Sequence, residues 1–283
     1  MKIVIKFAGA LLEDELALRG LARQVATLAR EGHELLVVHG GGKHFTSTLA
    51  RMGLESKFVS GLRVTDRETR DAAVMVFAGL LNKRLAAAIS AEGRPAVGIS
   101  AADAQCFRAE PLVYNEVAGG LGFVGYLTGL NAPFIESLWR EGLVPVASCL
   151  GLGTDNELYN INADQMAAAC AEYLAADQLI FLTDVPGVLD GERVLSELTF
   201  EEMERMVQTR AVTGGMVLKL EAAKRALEGG VRVVQILGGA SPEALWRAAH
   251  LGTNGEDDTP HLNRGTRVFS ERDSAAKSAF SAA

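Results

Sequence analysis

Short runs of β-branched and aliphatic residues alternate along this chain with longer segments of helical periodicity. That alternation restricts the chain to a sheet of mostly parallel strands covered by helices. Residues 2–6 read as a first strand, and residues 15–31 as a helix with Leu21, Val25 and Leu28 on one face and Gly32 as its stop. Residues 34–38 are the next strand. Helices over 43–52 and 67–91, a strand over 96–99, a helix over 132–141 and a strand over 144–147 follow. The scheme repeats with a helix over 163–174, a strand over 179–182, helices over 200–208 and 215–228, and a strand over 231–237. Residues 107–128, glycine-rich with interspersed aromatics, read as a β-hairpin. The expectation is one continuous α/β unit with two lobes divided near residue 150, and a polar Ala/Ser-rich end over 271–283 that frays.

Composition narrows the functional classes. Hydrophobic residues are 48% and charged residues 22%, which excludes an intrinsically disordered chain. With 35 acidic against 28 basic side chains, nucleic acid and anionic membranes are poor main partners. Cys106, Cys149 and Cys170 are odd in number and far apart, so they read as free thiols in a reducing compartment. The uncharged stretch 117–135 holds five glycines, Asn131 and Pro133, a composition of turns and not of a membrane span. A soluble, cytoplasmic protein is expected.

Chemistry-bearing residues cluster after strands. Lys6 ends the first strand and precedes Phe7-Ala8-Gly9-Ala10, where small residues let a ligand approach the backbone. Snorkelling from a strand end also accounts for such a lysine. His39-Gly40-Gly41-Gly42 follows an apolar strand and opens a helix, the setting in which oxyanions sit at a helix N-terminus. His39 itself reads as a packed residue. Arg63 lies in a loop of small residues and suits bidentate binding of a carboxylate, or plain solvation. Asn162 is a candidate N-cap that places Asp164 in the first helical turn. Residues 183–189 end a strand with a Pro-Gly turn. Thr213-Gly214-Gly215-Met216 opens a helix that carries Lys219. Gly120-Leu121-Gly122-Phe123-Val124-Gly125 satisfies GxGxxG, but no helical pattern follows it, so a dinucleotide fold is not indicated.

The ordered set Lys6–Gly9, Val38–Gly42, Gly61–Thr65, Asn82-Lys83, Leu121–Gly125, Asn160–Asp164, Leu182–Val188 and Thr213–Lys219 resembles the amino-acid kinase family. The resemblance implies a three-layer αβα sandwich with a mostly parallel central sheet, the carbamate kinase-like fold, as a single domain over 1–270. Residues 1–150 would then bind the acceptor and 151–270 the nucleotide. It further implies ATP-dependent phosphorylation of the side-chain carboxylate of N-acetyl-L-glutamate, the second step of arginine synthesis from glutamate. Mg²⁺ would arrive with ATP, bound mainly through the phosphates, with no dedicated metal site. Lys6 and Lys219 match the lysines that stabilise the transferring phosphoryl group, and Asp164 the aspartate that organises them. Gly41, Gly42, Arg63 and Asn160 match acceptor-binding positions. Asp184, Val185, Pro186, Gly187, Val188 and Leu189, with Ala211, Val212 and Thr213, match nucleotide-binding segments.

A carboxylate acceptor, with a reference pKa of about 4.3, is already ionised at neutral pH and needs no general base. Ala8 replaces the family's usual glycine, which narrows the turn unless its φ is negative, and Ser100-Ala101-Ala102-Asp103 replaces a more glycine-rich loop. Because the sequence starts at the first strand, a homodimer without strong arginine feedback is expected. Two alternatives are a sibling kinase for another carboxylate, such as carrier-protein-linked aminoadipate or glutamate, and a non-catalytic nucleotide or amino-acid sensor.

Overall fold

The computed structural model describes residues 1–113, 120–239, 243–251 and 265–269. The expected fraying over 271–283 lies outside the described residues. In chain order the strands are β1 (Lys2–Phe7), β2 (Glu34–His39), β3 (Phe58–Val59), β4 (Leu62–Arg63), β5 (Ala96–Ile99), β6 (Phe107–Pro111), β7 (Gly125–Leu130) and β8 (Val144–Ser148). They continue with β9 (Leu150–Leu152), β10 (Leu158–Asn160), β11 (Gln178–Thr183), β12 (Leu189–Asp190), β13 (Arg193–Val194), β14 (Glu197–Thr199), β15 (Val233–Gly238) and β16 (Thr266–Phe269). The helices are α1 (Gly9–Glu13), α2 (Glu15–Arg30), α3 (Gly42–Arg51), α4 (Arg67–Ala73), α5 (Asn82–Ala91), α6 (Ala132–Arg140), α7 (Ala163–Tyr173), α8 (Phe200–Gln208), α9 (Gly215–Glu228) and α10 (Ala244–Leu251).

Eight strands form the central sheet in the order β14-β16-β15-β11-β1-β2-β8-β5. From β15 across to β5 every pairing is parallel, and β16 runs antiparallel to β15. Residues 3–7 of β1 and all six of β11 are buried, so both sheet faces are covered, as parallel strands require. The two halves of the sequence meet where β1 pairs with β11, placing Lys6 beside Phe181. A second sheet, β10-β9-β6-β7, contains the expected hairpin. β9 and β10 belong to that sheet, so residues 150–152 and 158–160 pair beside strands of the first half. The GxGxxG segment leads into β7 and not into a helix, as read from the sequence.

Local signals account for most boundaries. Asp14 caps α2 by accepting from the Leu16 and Ala17 amides, and Gly32 follows it with φ of +90°. Asn162 caps α7 by accepting from Asp164 and Gln165, as expected. The helix expected over 67–91 is continuous but not uniform, because residues 74–81 between α4 and α5 form a π-helical segment. Apolar Val76, Phe77 and Leu81 are buried there while Met75 and Leu80 are more than half exposed, so the wider winding turns one apolar face inward. Arg67–Ala91 is also the one helix among the described residues long and apolar enough to cross a membrane, but half of its apolar window is buried inside the fold. The sequence reading missed α10, β14 and β16, although β16 is inserted between β14 and β15.

Candidate active site

The carboxyl ends of β1, β2, β8, β11 and β15 point to one edge of the sheet, where parallel α/β folds bind ligands. Lys6, near the end of β1, extends to Asp164 in the first turn of α7. Lys219, in the second turn of α9, reaches the same place. Lys6 Nζ lies 2.7 Å and Lys219 Nζ 2.9 Å from the same Asp164 oxygen, Oδ1. All three are buried, at 5–8% exposure. Burial is the largest influence on Asp164 and pushes its carboxyl up, but the two ammonium groups outweigh it, and the net effect is below the usual carboxylate range. Lys219 is pulled down to about 8, first by burial and then by the charge of Lys6, against the opposing pull of Asp164. At pH 7 Asp164 is therefore ionised and Lys219 mostly protonated.

Lys6 and Asp164 line a cavity of about 220 Å³. Gly40, Gly41, Gly42, Arg63 and Asn160 line it as well, so the four expected acceptor-binding positions open onto the same space as the first lysine. Contact dictates two of the glycines in this lining, Gly9 and Gly41. A Cβ on Gly9 would lie 2.7 Å from Gly41 Cα, and one on Gly41 would lie 2.2 Å from Leu81 Cδ1.

Arg63 is held between the rings of Phe45 and Phe58, at 4.7 and 4.4 Å. Its guanidinium donates to Thr46 Oγ1 (2.8 Å), to Ser56 Oγ and weakly to the Gly42 carbonyl (3.4 Å). Among the described residues no carboxylate pairs with this buried cation, and burial lowers its pKa from the ordinary arginine value. Asn160 is fixed by its amide hydrogen bond to the Phe123 carbonyl (2.8 Å) and by its side chain on Thr65 Oγ1 (3.3 Å).

His39 is fully buried and plays the packing role expected of it. Its Nδ1 lies 3.0 Å from the Gly40 carbonyl and its Nε2 3.1 Å from Asn82 Nδ2, which also donates to the Val146 carbonyl. A carbonyl only accepts, so Nδ1 carries the proton and the ring is neutral. Burial holds its pKa down at about 4. Ala8 has φ −66° and ψ 142°, ordinary extended backbone, so alanine strains nothing in that turn. In the loop after β5, Asp103 accepts from the Ser100 amide and hydroxyl, and left-handed backbone falls on Ala104 and Gln105.

The segments expected to bind nucleotide lie outside that cavity. Asp184 and Pro186 are exposed and Val185 and Leu189 half-buried, whereas Gly187 and Val188 are buried. Val188 donates its amide to Thr266 Oγ1 (2.8 Å), so this pair anchors the loop and leaves the surface to its neighbours. Ala211 and Thr213 are exposed and Val212 is buried. Gly214 (φ 57°, ψ −130°) forms the N-cap of α9, a conformation that only glycine adopts readily. Lys43, in the first turn of α3, approaches Asp184 Oδ2 to 3.8 Å and ties the glycine loop of the first half to the second. Sequence reasoning passed over Lys43, although it directly follows the three glycines. Phe45 and Phe58 were also missed, because nothing local marks them as partners of Arg63.

A sheet edge with two buried lysines on one aspartate and a glycine-lined cavity beside them defines a phosphotransferase of the amino acid kinase family. The model of that family matches residues 1–238, and the chain belongs to it. An acetylglutamate kinase from Koribacter versatilis is 50% identical over 248 residues, 87% of this chain and 93% of the relative. Two solved structures share the fold. An N-acetylglutamate synthase from Neisseria gonorrhoeae, complexed with coenzyme A and N-acetyl-glutamate, superposes at a TM-score of 0.82 with 24% identity, over 95% of this chain and 59% of the synthase. A carbamate kinase from Giardia lamblia, bound to AMP-PNP, gives 0.62 with 15% identity over 95% and 98%.

Proposed function

We propose that this chain transfers the γ-phosphoryl group of ATP to the side-chain carboxylate of N-acetyl-L-glutamate, the second step of arginine synthesis from glutamate. The products are N-acetyl-L-glutamyl 5-phosphate and ADP. One observation carries the reading: a single cavity is lined by Lys6, by Asp164 and by Arg63, a buried guanidinium without a carboxylate partner among the described residues. The 50% identity to an acetylglutamate kinase over nearly its whole length supports the choice of acceptor.

In this mechanism Arg63 takes the α-carboxylate of the acceptor, stacked and pre-aimed by Phe45 and Phe58. Asn160 and the Gly41–Gly42 backbone position the rest of the molecule. The side-chain carboxylate, ionised at neutral pH, forms a bond to the γ-phosphorus as the bond to the β–γ bridging oxygen breaks. Repulsion between two anions is the obstacle, and Lys6 and Lys219 offset it, one from each half of the fold. Asp164 keeps both ammonium groups in place. Its Oδ1 already carries both lysines; Mg²⁺ would be held mainly through the nucleotide phosphates and would neutralise charge developing on them. Asp184 to Leu189 and Ala211 to Thr213 flank the nucleotide.

The test is to trap the acyl phosphate with hydroxylamine after incubation with MgATP and free N-acetyl-L-glutamate. A hydroxamate is expected, and its absence refutes the assignment. Lys6→Ala and Lys219→Ala should each lower turnover on the order of 10²-fold or more, with smaller effects on substrate affinity.

We also propose a homodimer. Met75 and Leu80 expose apolar surface on the helix that packs beside β5, and β5 is an edge strand of the main sheet. Sedimentation equilibrium should give twice the chain mass.

A further inference from the structure

At the amino end of β2, on the sheet edge opposite the lysines, a second cluster of ionisable side chains converges. Glu31 ends α2, His33 precedes β2, and His250 lies near the end of α10. One donor atom from each lies within 4.8 Å of the other two. Nε2 of His250 is 3.4 Å and Nε2 of His33 is 4.0 Å from Glu31 Oε2.

The surroundings orient each group. His250 Nδ1 lies 2.8 Å from the Trp246 carbonyl and donates to it, which turns Nε2 toward Glu31. A metal-bound histidine is held the same way, by a backbone carbonyl on its other ring nitrogen. Trp246 Nε1 donates to Glu31 Oε1 (2.9 Å), which fixes the carboxylate and leaves Oε2 turned toward the histidines. The Trp246 ring stacks on His250 at 4.2 Å, and His33 meets His250 edge-on at 5.8 Å. Gln24 Oε1 accepts from the Leu245 and Trp246 amides and anchors the start of α10. The buried Nδ1 of His33 has no hydrogen-bond partner among the described residues.

Two imidazole nitrogens and a carboxylate oxygen gathered this closely are a donor set that one cation can share. We propose that Glu31, His33 and His250 form a transition-metal site that takes Zn²⁺ and clamps α10 against the start of β2. Zinc–nitrogen and zinc–oxygen bonds of about 2.0–2.1 Å place tetrahedral ligands roughly 3.3–3.4 Å apart. The Glu31–His250 edge already has that length, and a small side-chain rotation closes the Glu31–His33 edge. Two imidazoles and one carboxylate favour zinc, cobalt or nickel over the magnesium of the nucleotide, with water completing the shell. The three cysteines do not compete. Each is buried, and burial pushes the Cys106 and Cys149 thiols up to about 12 and raises that of Cys170.

The full chain, stripped with chelator, incubated with ZnCl₂ and desalted, should retain one zinc per chain by elemental analysis. Its unfolding temperature should rise with ZnCl₂ and not with MgCl₂. CoCl₂ should give visible d–d bands. His33→Ala and His250→Ala should each lose the bound zinc, the thermal shift and the cobalt bands while keeping phosphotransfer. If His33→Ala does not fold, His250→Asn on the half-exposed end of α10 carries the same test. A parent protein that retains no zinc shows that Glu31 and His250 are a simple ion pair, and the proposal fails. It fails equally if the variants retain as much zinc as the parent.

Discussion

Asp164→Asn keeps the shape of the side chain and removes the charge between two buried ammonium groups. A unit negative charge 2.9 Å from Lys219 Nζ is worth about 6 kcal/mol at an effective dielectric of about 20, or roughly four pKa units. The amide oxygen that remains still accepts a hydrogen bond and recovers part of this. A fall of at least about two units is expected, taking Lys219 from about 8 to roughly 6 or below. At pH 7 the parent then has about nine-tenths of this lysine charged and the variant at most about one-tenth. From protonation alone, kcat/KM at pH 7 should drop about tenfold or more, and the alkaline limb of its pH profile should move from near 8 to near 6. Because the lysine can shed its proton, the variant should remain folded, which circular dichroism checks. Initial rates of ADP release across this pH range provide the measurement. A variant within about threefold of the parent at pH 7, with an unmoved alkaline limb, would refute the claim that Asp164 maintains the lysine charge.

Arg63→Ala should raise the KM for acetylglutamate about 10- to 100-fold with a smaller change in kcat, the range for losing a hydrogen bond to a charged group. Arg63→Lys should not restore affinity, since the stacked fork between Phe45 and Phe58 is lost. Steady-state kinetics with varied acceptor decide both. Gly41→Ala drives a Cβ to 2.2 Å from buried Leu81 and should destabilise the fold by about 1–3 kcal/mol in urea titrations while weakening acceptor binding. His39 has a native pKa of about 4 against 6.5 unfolded, so stability is unaffected above about pH 6.5 and is lost as pH falls, because the unfolded chain takes the proton first. The loss should reach about 2 kcal/mol between pH 7 and pH 5. A His39→Gln variant with the same slope would show that His39 is not its source.

Signals confined to a few residues made much of the fold legible. The β1–α2–β2 unit, α8 and α9 could be read from apolar periodicity and glycine stops, and the start of α7 from its Asn162 cap. Each of those elements depends on burying its own face or satisfying its own end. The motif order also named Lys6, Asp164, Lys219 and Arg63 before any geometry existed. Their meeting could not be read. Lys219 and Asp164 are 55 positions apart and meet only because α7 and α9 pack together, and Lys6 reaches the same oxygen because α7 also packs on β1. The Phe45–Arg63–Phe58 sandwich, the insertion of β16 between β14 and β15, and the His33–His250 contact have the same origin. Periodicity in a chain records which side of an element avoids water. Strand order and helix packing decide which distant side chains then face one another, and only the folded tertiary structure fixes those.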